Sequence, residues 1–161
     1  MLNITTFLDA NSKRLDKNVL YNPTTDHKYN SGEILSIVSK IGRDLKELKI
    51  KKGDRVLIYL ANSEEYLFSL FAIWRIGAIA IPTNRVFTAS ELEYIVSDSQ
   101  AKLMITDSEA QNIIDIDTYI PPNIIEFKDC EVLDAESTDW DDLCQLQYTS
   151  GTTGKPKGAI S

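Results

Sequence analysis

One run of residues near the carboxyl terminus of the 161-residue sequence carries groups that can bind an anion. It reads YTSGTTGKPKG, from Tyr148 to Gly158, and combines three glycines with hydroxyl side chains and two lysines. Glycine lets the backbone approach a ligand closely, and backbone N–H groups, hydroxyls and ammonium groups all bind phosphate. This composition predicts a phosphate-binding loop over residues 148–158.

The run does not have the spacing of a Walker A loop. That pattern needs a glycine five residues after its first glycine, followed by lysine and a hydroxyl residue. Pro156 stands five residues after Gly151, and no other glycine in the sequence satisfies the pattern. The sequence therefore indicates a phosphate site of a different kind from that of P-loop NTPases.

Charge and composition exclude several other functions. The 17 basic and 24 acidic residues give a net charge of −7, and an acidic surface disfavours nucleic acid as a partner. Cys130, Cys144 and the single histidine, His27, have no metal-ligand spacing, so neither a metal site nor a Cys/His nucleophile pair is predicted. Two unpaired cysteines are typical of a cytoplasmic protein, which is the expected location.

No segment has the pattern of a targeting signal or a membrane span. The amino terminus lacks a basic stretch followed by an apolar one, so no secretory signal is predicted. The most apolar segment, residues 66–82, is interrupted by Arg75 and Gly77. It is too short and too broken to cross a bilayer, and we expect a buried helix followed by a buried strand.

Short apolar runs alternate with helical repeats along the rest of the sequence. Asn30 with Glu33, and Thr88 with Glu91, have the spacing of capping boxes at helix starts. Gly77 is expected to end a helix that begins after Asn62 or Ser63. The predicted helices are 31–49, 63–76, one after Thr88, and a weaker one at 108–118; the predicted strands are a hairpin of NVLYN and HKYN, then 55–60, 78–81, 102–106, 124–127 and 143–148.

This alternation predicts an α/β fold. Buried strands with short connections favour a mostly parallel sheet flanked by helices on both faces, with the β-hairpin at its amino terminus. The acidic stretch 129–142 is expected to form a surface loop. The loop 148–158 then leaves the carboxyl end of a strand, which is the edge where open α/β sheets bind ligands.

The order of residues in the glycine-rich run resembles the phosphate-binding signature of the adenylate-forming superfamily. This superfamily includes acyl-CoA synthetases, luciferases and adenylation domains of peptide synthetases. The segments KKGDRVLIYLANSEEYLFSLFAIWRIGAIAIPTN and TASELEYIVSDSQAKLMITD are similar to the blocks that precede this signature in the family. Together the similar segments cover about residues 30–161. The resemblance implies that 1–161 is a single, incomplete N-terminal subdomain of such an enzyme.

The resemblance also implies a two-step ligation. A carboxylic acid attacks the α-phosphate of ATP, with Mg²⁺ present, to form an acyl-adenylate, and a thiol such as that of coenzyme A then displaces AMP. The loop would bind the β- and γ-phosphates, with Pro156 fixing the backbone between the two lysines. No catalytic or metal-binding residue is assigned within the chain. The residues expected to bind the nucleotide are Thr149, Ser150, Gly151, Thr152, Thr153, Gly154, Lys155 and Lys157.

The identity of the parent enzyme and the behaviour of the chain alone are further expectations. The segment GAIAIPTN, with Asn84, resembles the Pro-x-Asn element of acyl-CoA synthetases, and this resemblance favours an acid–CoA ligase, of fatty or related acids, over an amino-acid adenylation domain of a peptide synthetase. The same residues also fit a non-catalytic nucleotide-binding module or an interaction domain. Family members are several times longer than this sequence, so we expect the chain alone to be inactive, and an uncovered sheet edge favours a homodimer.

Overall fold

The computed structural model describes residues 3–12, 18–122, 130–149 and 157–160. Helices and strands alternate through most of these ranges. The helices are α1 (Thr6–Asn11), α2 (Ser31–Glu47), α3 (Glu64–Arg75) and α4 (Ala89–Ser99). The strands are β1 (Asn18–Asn22), β2 (His27–Asn30), β3 (Arg55–Tyr59), β4 (Ile79–Pro82), β5 (Leu103–Thr106), β6 (Thr118–Tyr119), β7 (Leu146–Thr149) and β8 (Lys157–Ile160).

A parallel sheet with the strand order β4-β3-β5-β6 forms the centre of the fold, which confirms the predicted α/β architecture. An isolated parallel bridge between Ala80 and Gln145 places β7 beside β4, in the same direction. The strands β1 and β2 form the predicted antiparallel hairpin, and β7 pairs antiparallel with β8.

Side chains alternate between the two faces of the sheet, and each face is covered. Val56 and Ile58 of β3 belong to the core cluster that contains the apolar residues of α2 and α3. Leu57 and Tyr59 belong to a second cluster, with Leu92 of α4. Because successive strand residues point to opposite faces, an unbroken apolar run such as RVLIY requires cover on both sides.

The helix boundaries follow the capping signals of the sequence. The side chains of Asn30 and Thr88 each accept a hydrogen bond from the backbone N–H three residues later. The carboxylates of Glu33 and Glu91 in turn accept the backbone N–H of these cap residues, so both predicted capping boxes are present. Ser63 is the residue that caps α3. Beyond the end of α3 the chain turns at Gly77, whose φ of 69° lies in the left-handed region that favours glycine.

The predicted helix at 108–118 is wrong. Residues 107–117 form turns and bends, in which the N–H groups of Ala110 and Ile113 donate to the carbonyls three residues earlier at 3.3 and 3.1 Å. The Asp107 carboxylate accepts the N–H groups of Glu109 and Ala110 at 3.2 and 3.1 Å, as a helix cap does, but no helix follows it. Ala110 is nevertheless buried in the second cluster. The short strand β6, which sequence analysis did not predict, follows these turns, and the predicted strand 124–127 lies outside the described residues.

The acidic stretch packs more closely on the fold than a surface loop is expected to. Most of residues 130–142 have no regular structure, yet Ala135 is buried and the Glu136 N–H donates to the Arg75 carbonyl at 2.7 Å. The Arg75 guanidinium is buried and donates to the Leu133 carbonyl at 2.5 Å. It also pairs with Asp9 of α1 at 2.7 Å, so one side chain ties α3 to α1 and to the acidic stretch.

None of the helices in the described ranges combines the length and the apolar character that a membrane span requires. The longest of them, α2, carries charged residues along its length.

Candidate functional site

A cleft of about 370 Å³ lies at the carboxyl edge of the sheet. It forms where the chain leaves β3 and β4, beside the carboxyl half of β7. Because β7 runs parallel to β4, its carboxyl end meets this same edge. The residues that line the cleft include Leu60, Asn62, Tyr66, Thr83, Arg85 and Gln147.

Two of the predicted nucleotide-binding residues lie in the described part of the chain, at this edge. Thr149 ends β7 and Lys157 begins β8, and the two are directly opposite each other in the antiparallel pair. Both are exposed. The predicted loop 148–158 therefore has strand residues at both ends. The other predicted residues, Ser150, Gly151, Thr152, Thr153, Gly154 and Lys155, lie outside the described residues, as does Pro156.

Arg85 is a cation of the cleft that sequence analysis did not assign. It follows the end of β4 by three residues and pairs with the Asp107 carboxylate at 3.3 Å. Its guanidinium carbon lies 4.7 Å from the centre of the Tyr59 ring, within the range of a cation–π contact. The signal that could have found it is its place directly after a buried strand, at the edge where ligands bind.

Hydrogen bonds fix the course of the chain around Arg85. The Tyr59 hydroxyl lies 3.1 Å from the carbonyl oxygens of both Arg85 and Phe87. The Thr83 hydroxyl donates to the Ile58 carbonyl at 2.7 Å, and the Asn84 side chain accepts the Val86 N–H at 3.1 Å. The turn after β4 is thus held to the end of β3, and the cleft has a defined wall.

Tyr148 connects the β7–β8 hairpin to α4. Its ring is buried in the second core cluster, and its hydroxyl donates to the Asp98 carboxylate at 2.6 Å. Burial, and then the hydrogen bond and the negative charge of Asp98, raise the pKa of the Tyr148 hydroxyl well above its ordinary value. The hydroxyl is therefore a hydrogen-bond donor at neutral pH and does not act as a base.

The arrangement has the chemical features of an anion site. One side of the edge has Lys157 and the hydroxyl of Thr149 beside the ends of the glycine-rich segment, and the other has Arg85 and the amide groups of Asn62 and Gln147. Within the described ranges, no group of three or more histidine, cysteine, aspartate or glutamate residues could hold a metal ion. The described groups of the cleft are thus hydrogen-bond donors and cations, which are the groups that favour an anion.

The sequence matches a family profile described as "AMP-binding enzyme" over residues 7–161, which is nearly the whole chain. The chain belongs to the AMP-binding enzyme family. The resemblance that the glycine-rich run suggested is therefore confirmed. The blocks expected upstream of the run are the strands and helices from β3 to β5, which form the edge just described.

Curated relatives of this AMP-binding family chain carry the names of CoA ligases. The chain is 33% identical to 4-coumarate–CoA ligase 3 of Arabidopsis thaliana, over 90% of its own length and 29% of that protein. It is 29% identical to long-chain-fatty-acid–CoA ligase FadD13 of Mycobacterium tuberculosis, over 86% of its length and 30% of that protein. The chain spans less than a third of each of these relatives.

Solved structures of the family have the same fold. The inhibitor-bound N-terminal domain of FACL13 from Mycobacterium tuberculosis superposes with a TM-score of 0.83 at 26% identity, covering 100% of this chain and 44% of that one. The anthranilate CoA ligase AuaEII, in complex with anthranoyl-AMP, also gives a TM-score of 0.83 at 26% identity, covering 99% of this chain and 33% of the ligase. The predicted fold, part of the N-terminal subdomain of an adenylate-forming enzyme, agrees with these superpositions.

Proposed function

We propose that this chain supplies the polyphosphate-binding edge of an ATP-dependent acid–CoA ligase. In the proposed reaction a carboxylate oxygen attacks the α-phosphorus of ATP, the bond from that phosphorus to the bridging oxygen breaks, and pyrophosphate leaves. The thiol of coenzyme A then attacks the acyl carbon, and AMP leaves. The names of the relatives, which concern 4-coumarate and long-chain fatty acids, support an acid with an apolar body.

The single observation that carries this proposal is the juxtaposition of Thr149 and Lys157. The two residues bracket the glycine- and threonine-rich segment and face each other at the carboxyl edge of the sheet, beside the cleft that contains Arg85. In this proposal the Lys157 ammonium and the Thr149 hydroxyl bind the β- and γ-phosphates, together with Ser150, Gly151, Thr152, Thr153, Gly154 and Lys155. Positive charge placed where the leaving group gains negative charge lowers the barrier to adenylyl transfer.

In this proposal the described residues contribute binding and orientation of the phosphates. Proton transfer to the leaving pyrophosphate is not needed, and the described residues show no base aimed into the cleft. The described residues also lack a cluster that fits Mg²⁺, so no step is assigned to a metal held by them. We therefore propose that the chain alone forms no AMP from ATP, Mg²⁺, a fatty acid and coenzyme A. Measurable turnover by the chain would refute this part of the proposal.

The proposed anion site is tested by titrating the chain with pyrophosphate and following the backbone amides by NMR. We expect millimolar binding, with shifts confined to the β7–β8 hairpin and the cleft. Lys157→Ala should weaken binding about fivefold, the effect of removing one exposed charge from a charged hydrogen bond.

A matched control is Lys51→Ala, because Lys51 is also exposed but precedes β3 at the opposite edge of the sheet. This substitution should leave the pyrophosphate affinity unchanged. Equal weakening by the two substitutions, or shifts spread evenly over the surface, would show that the anion binds through net charge alone and would contradict the proposal.

A further inference from the structure

Tyr148 lies on β7, the strand that leads into the glycine-rich segment, and its side chain contacts β8, the strand that follows this segment. Tyr148 is the residue before Thr149 on β7, and it lies directly opposite Gly158 of β8. A Cβ atom built on Gly158 would lie 3.1 Å from Cζ of the Tyr148 ring and 3.4 Å from its hydroxyl oxygen. The ring therefore lies close to the backbone of the returning strand, and a Cβ atom at position 158 would require the ring to move by a few tenths of an ångström.

The same ring is fixed to the body of the fold. It is 5% exposed and packs among the apolar residues of the second core cluster, which include Tyr59, Leu92 and Ile95. Its hydroxyl donates to Asp98, near the end of α4, at 2.6 Å. A hydrogen bond to an ionised carboxylate is about twice as strong as one between neutral groups, so the position of the ring is well determined.

We propose that Tyr148 is a positioning residue, which holds Thr149 and Lys157 in place through its hydrogen bond to Asp98 and its contact with Gly158. The inference rests on the proposed function, since it explains how that anion site is organised. Thr149 and Lys157 are the next cross-strand pair after Tyr148 and Gly158, so the ring anchors the paired strands one residue away from both of them. A site whose ends are fixed before the ligand arrives loses less conformational entropy on binding.

The test compares two substitutions that weaken the same hydrogen bond: Tyr148→Phe removes its donor, and Asp98→Asn keeps an acceptor oxygen but removes the negative charge that strengthens the bond. Phenylalanine keeps the buried ring, and asparagine keeps the size of the side chain, so the fold should be retained. We expect the paired amides of β7 and β8 to exchange with solvent about tenfold faster in either variant, and the exchange of the β3 amides to stay unchanged. Pyrophosphate affinity should fall about three- to tenfold in both, and no further in the double variant.

Tyr21→Phe is the matched control. The Tyr21 hydroxyl also lies near a carboxylate, that of Asp26 at 3.1 Å, but on the exposed β1–β2 hairpin. This substitution should alter neither the exchange of the β7–β8 amides nor the affinity for pyrophosphate.

The outcomes separate the positioning role from the proposed function. If Tyr148→Phe and Asp98→Asn accelerate exchange in β7–β8 and weaken pyrophosphate binding together, the inference is supported. If exchange accelerates equally in β3, or if binding is unchanged, Tyr148 is an ordinary core residue and the inference is overturned. If the wild-type chain binds no pyrophosphate while exchange still accelerates in β7–β8 alone, the anchoring of the hairpin is supported and the proposed function fails.

Discussion

Replacing Asp9 with asparagine should destabilise the chain more than its exposed position suggests. Asp9 lies on the short helix α1, and its carboxylate pairs with the Arg75 guanidinium at 2.7 and 3.2 Å. Arg75 is 1% exposed in its side chain, whereas Asp9 is 40% exposed. The substitution keeps an oxygen that can accept a hydrogen bond but removes the only carboxylate in described contact with a buried positive charge.

The magnitude follows from this asymmetry of burial. Removing one partner of a fully buried ion pair costs about 3–5 kcal/mol, because the remaining charge is left buried and uncompensated. Water already reaches Asp9, and Arg75 keeps its hydrogen bond to the Leu133 carbonyl at 2.5 Å. The free energy of unfolding should therefore fall by less than it does for a fully buried pair. We expect Asp9→Asn to lower the free energy of unfolding by about 2 kcal/mol, or Tm by about 4–8 °C for a chain of this size.

The measurement is urea unfolding followed by circular dichroism at pH 7, with Glu136→Gln as the control. Glu136 pairs with Lys46 at 3.6 Å, and both side chains are about 40% exposed, so the same change from carboxylate to amide should cost less than about 0.5 kcal/mol. Equal losses for Asp9→Asn and Glu136→Gln would refute the reasoning, since they would mean that burial of the Arg75 charge does not matter.

Two further predictions concern backbone conformation and pH. Gly77→Ala should destabilise the chain by about 1–2 kcal/mol in urea unfolding, because Gly77 has a φ of 69° and the new Cβ would lie 3.1 Å from two neighbouring side chains. Gly53→Ala should lower the free energy of unfolding by less, because Gly53 has a φ of 80° but no atom lies within 4 Å of the new Cβ. A larger loss for Gly53→Ala than for Gly77→Ala would contradict the role of packing at Gly77. Burial alone would raise the pKa of Asp54, but its ion pair with Lys102 at 2.7 Å and a hydrogen bond from a backbone N–H lower the pKa below its ordinary value. The ionised carboxylate therefore stabilises the folded state at neutral pH, and this contribution is lost as the pH falls below about 4. Tm should therefore fall less steeply between about pH 5 and pH 3 in Asp54→Asn than in the wild type, and parallel curves would show that Asp54 does not contribute.

Much of the fold could be predicted from local signals, because those signals act over a few residues. Capping boxes at Asn30 and Thr88 determine where α2 and α4 begin, since the side chain bonds a backbone N–H only three positions away. The unbroken apolar run of β3 predicted a strand covered on both faces. The helix expected at 108–118 does not form although Asp107 accepts the N–H groups of Glu109 and Ala110 as a cap does, because a cap satisfies only the first N–H groups and the residues after it form single turns.

The candidate site was predictable only in part. The composition of residues 148–158 predicts anion binding, which stays a prediction, and the structure places Thr149 at the end of β7, at the carboxyl edge of the sheet. Arg85 was not predicted as part of this edge, since its relation to Tyr59 and Asp107 depends on three segments of the chain that meet only in the folded state.

By itself the sequence determined the order of helices and strands from the β1–β2 hairpin to β5, the α/β class and the family, because these depend on short-range patterns and on one distinctive run of residues. Only the tertiary structure decided the roles of Arg75 and Tyr148. Arg75 interrupts an apolar segment in the sequence, yet it is buried, because Asp9 and the Leu133 carbonyl approach it from distant parts of the chain. Tyr148 contacts Asp98 fifty residues away, and the physical reason is the same: a buried polar group is stable only where the fold brings it a partner.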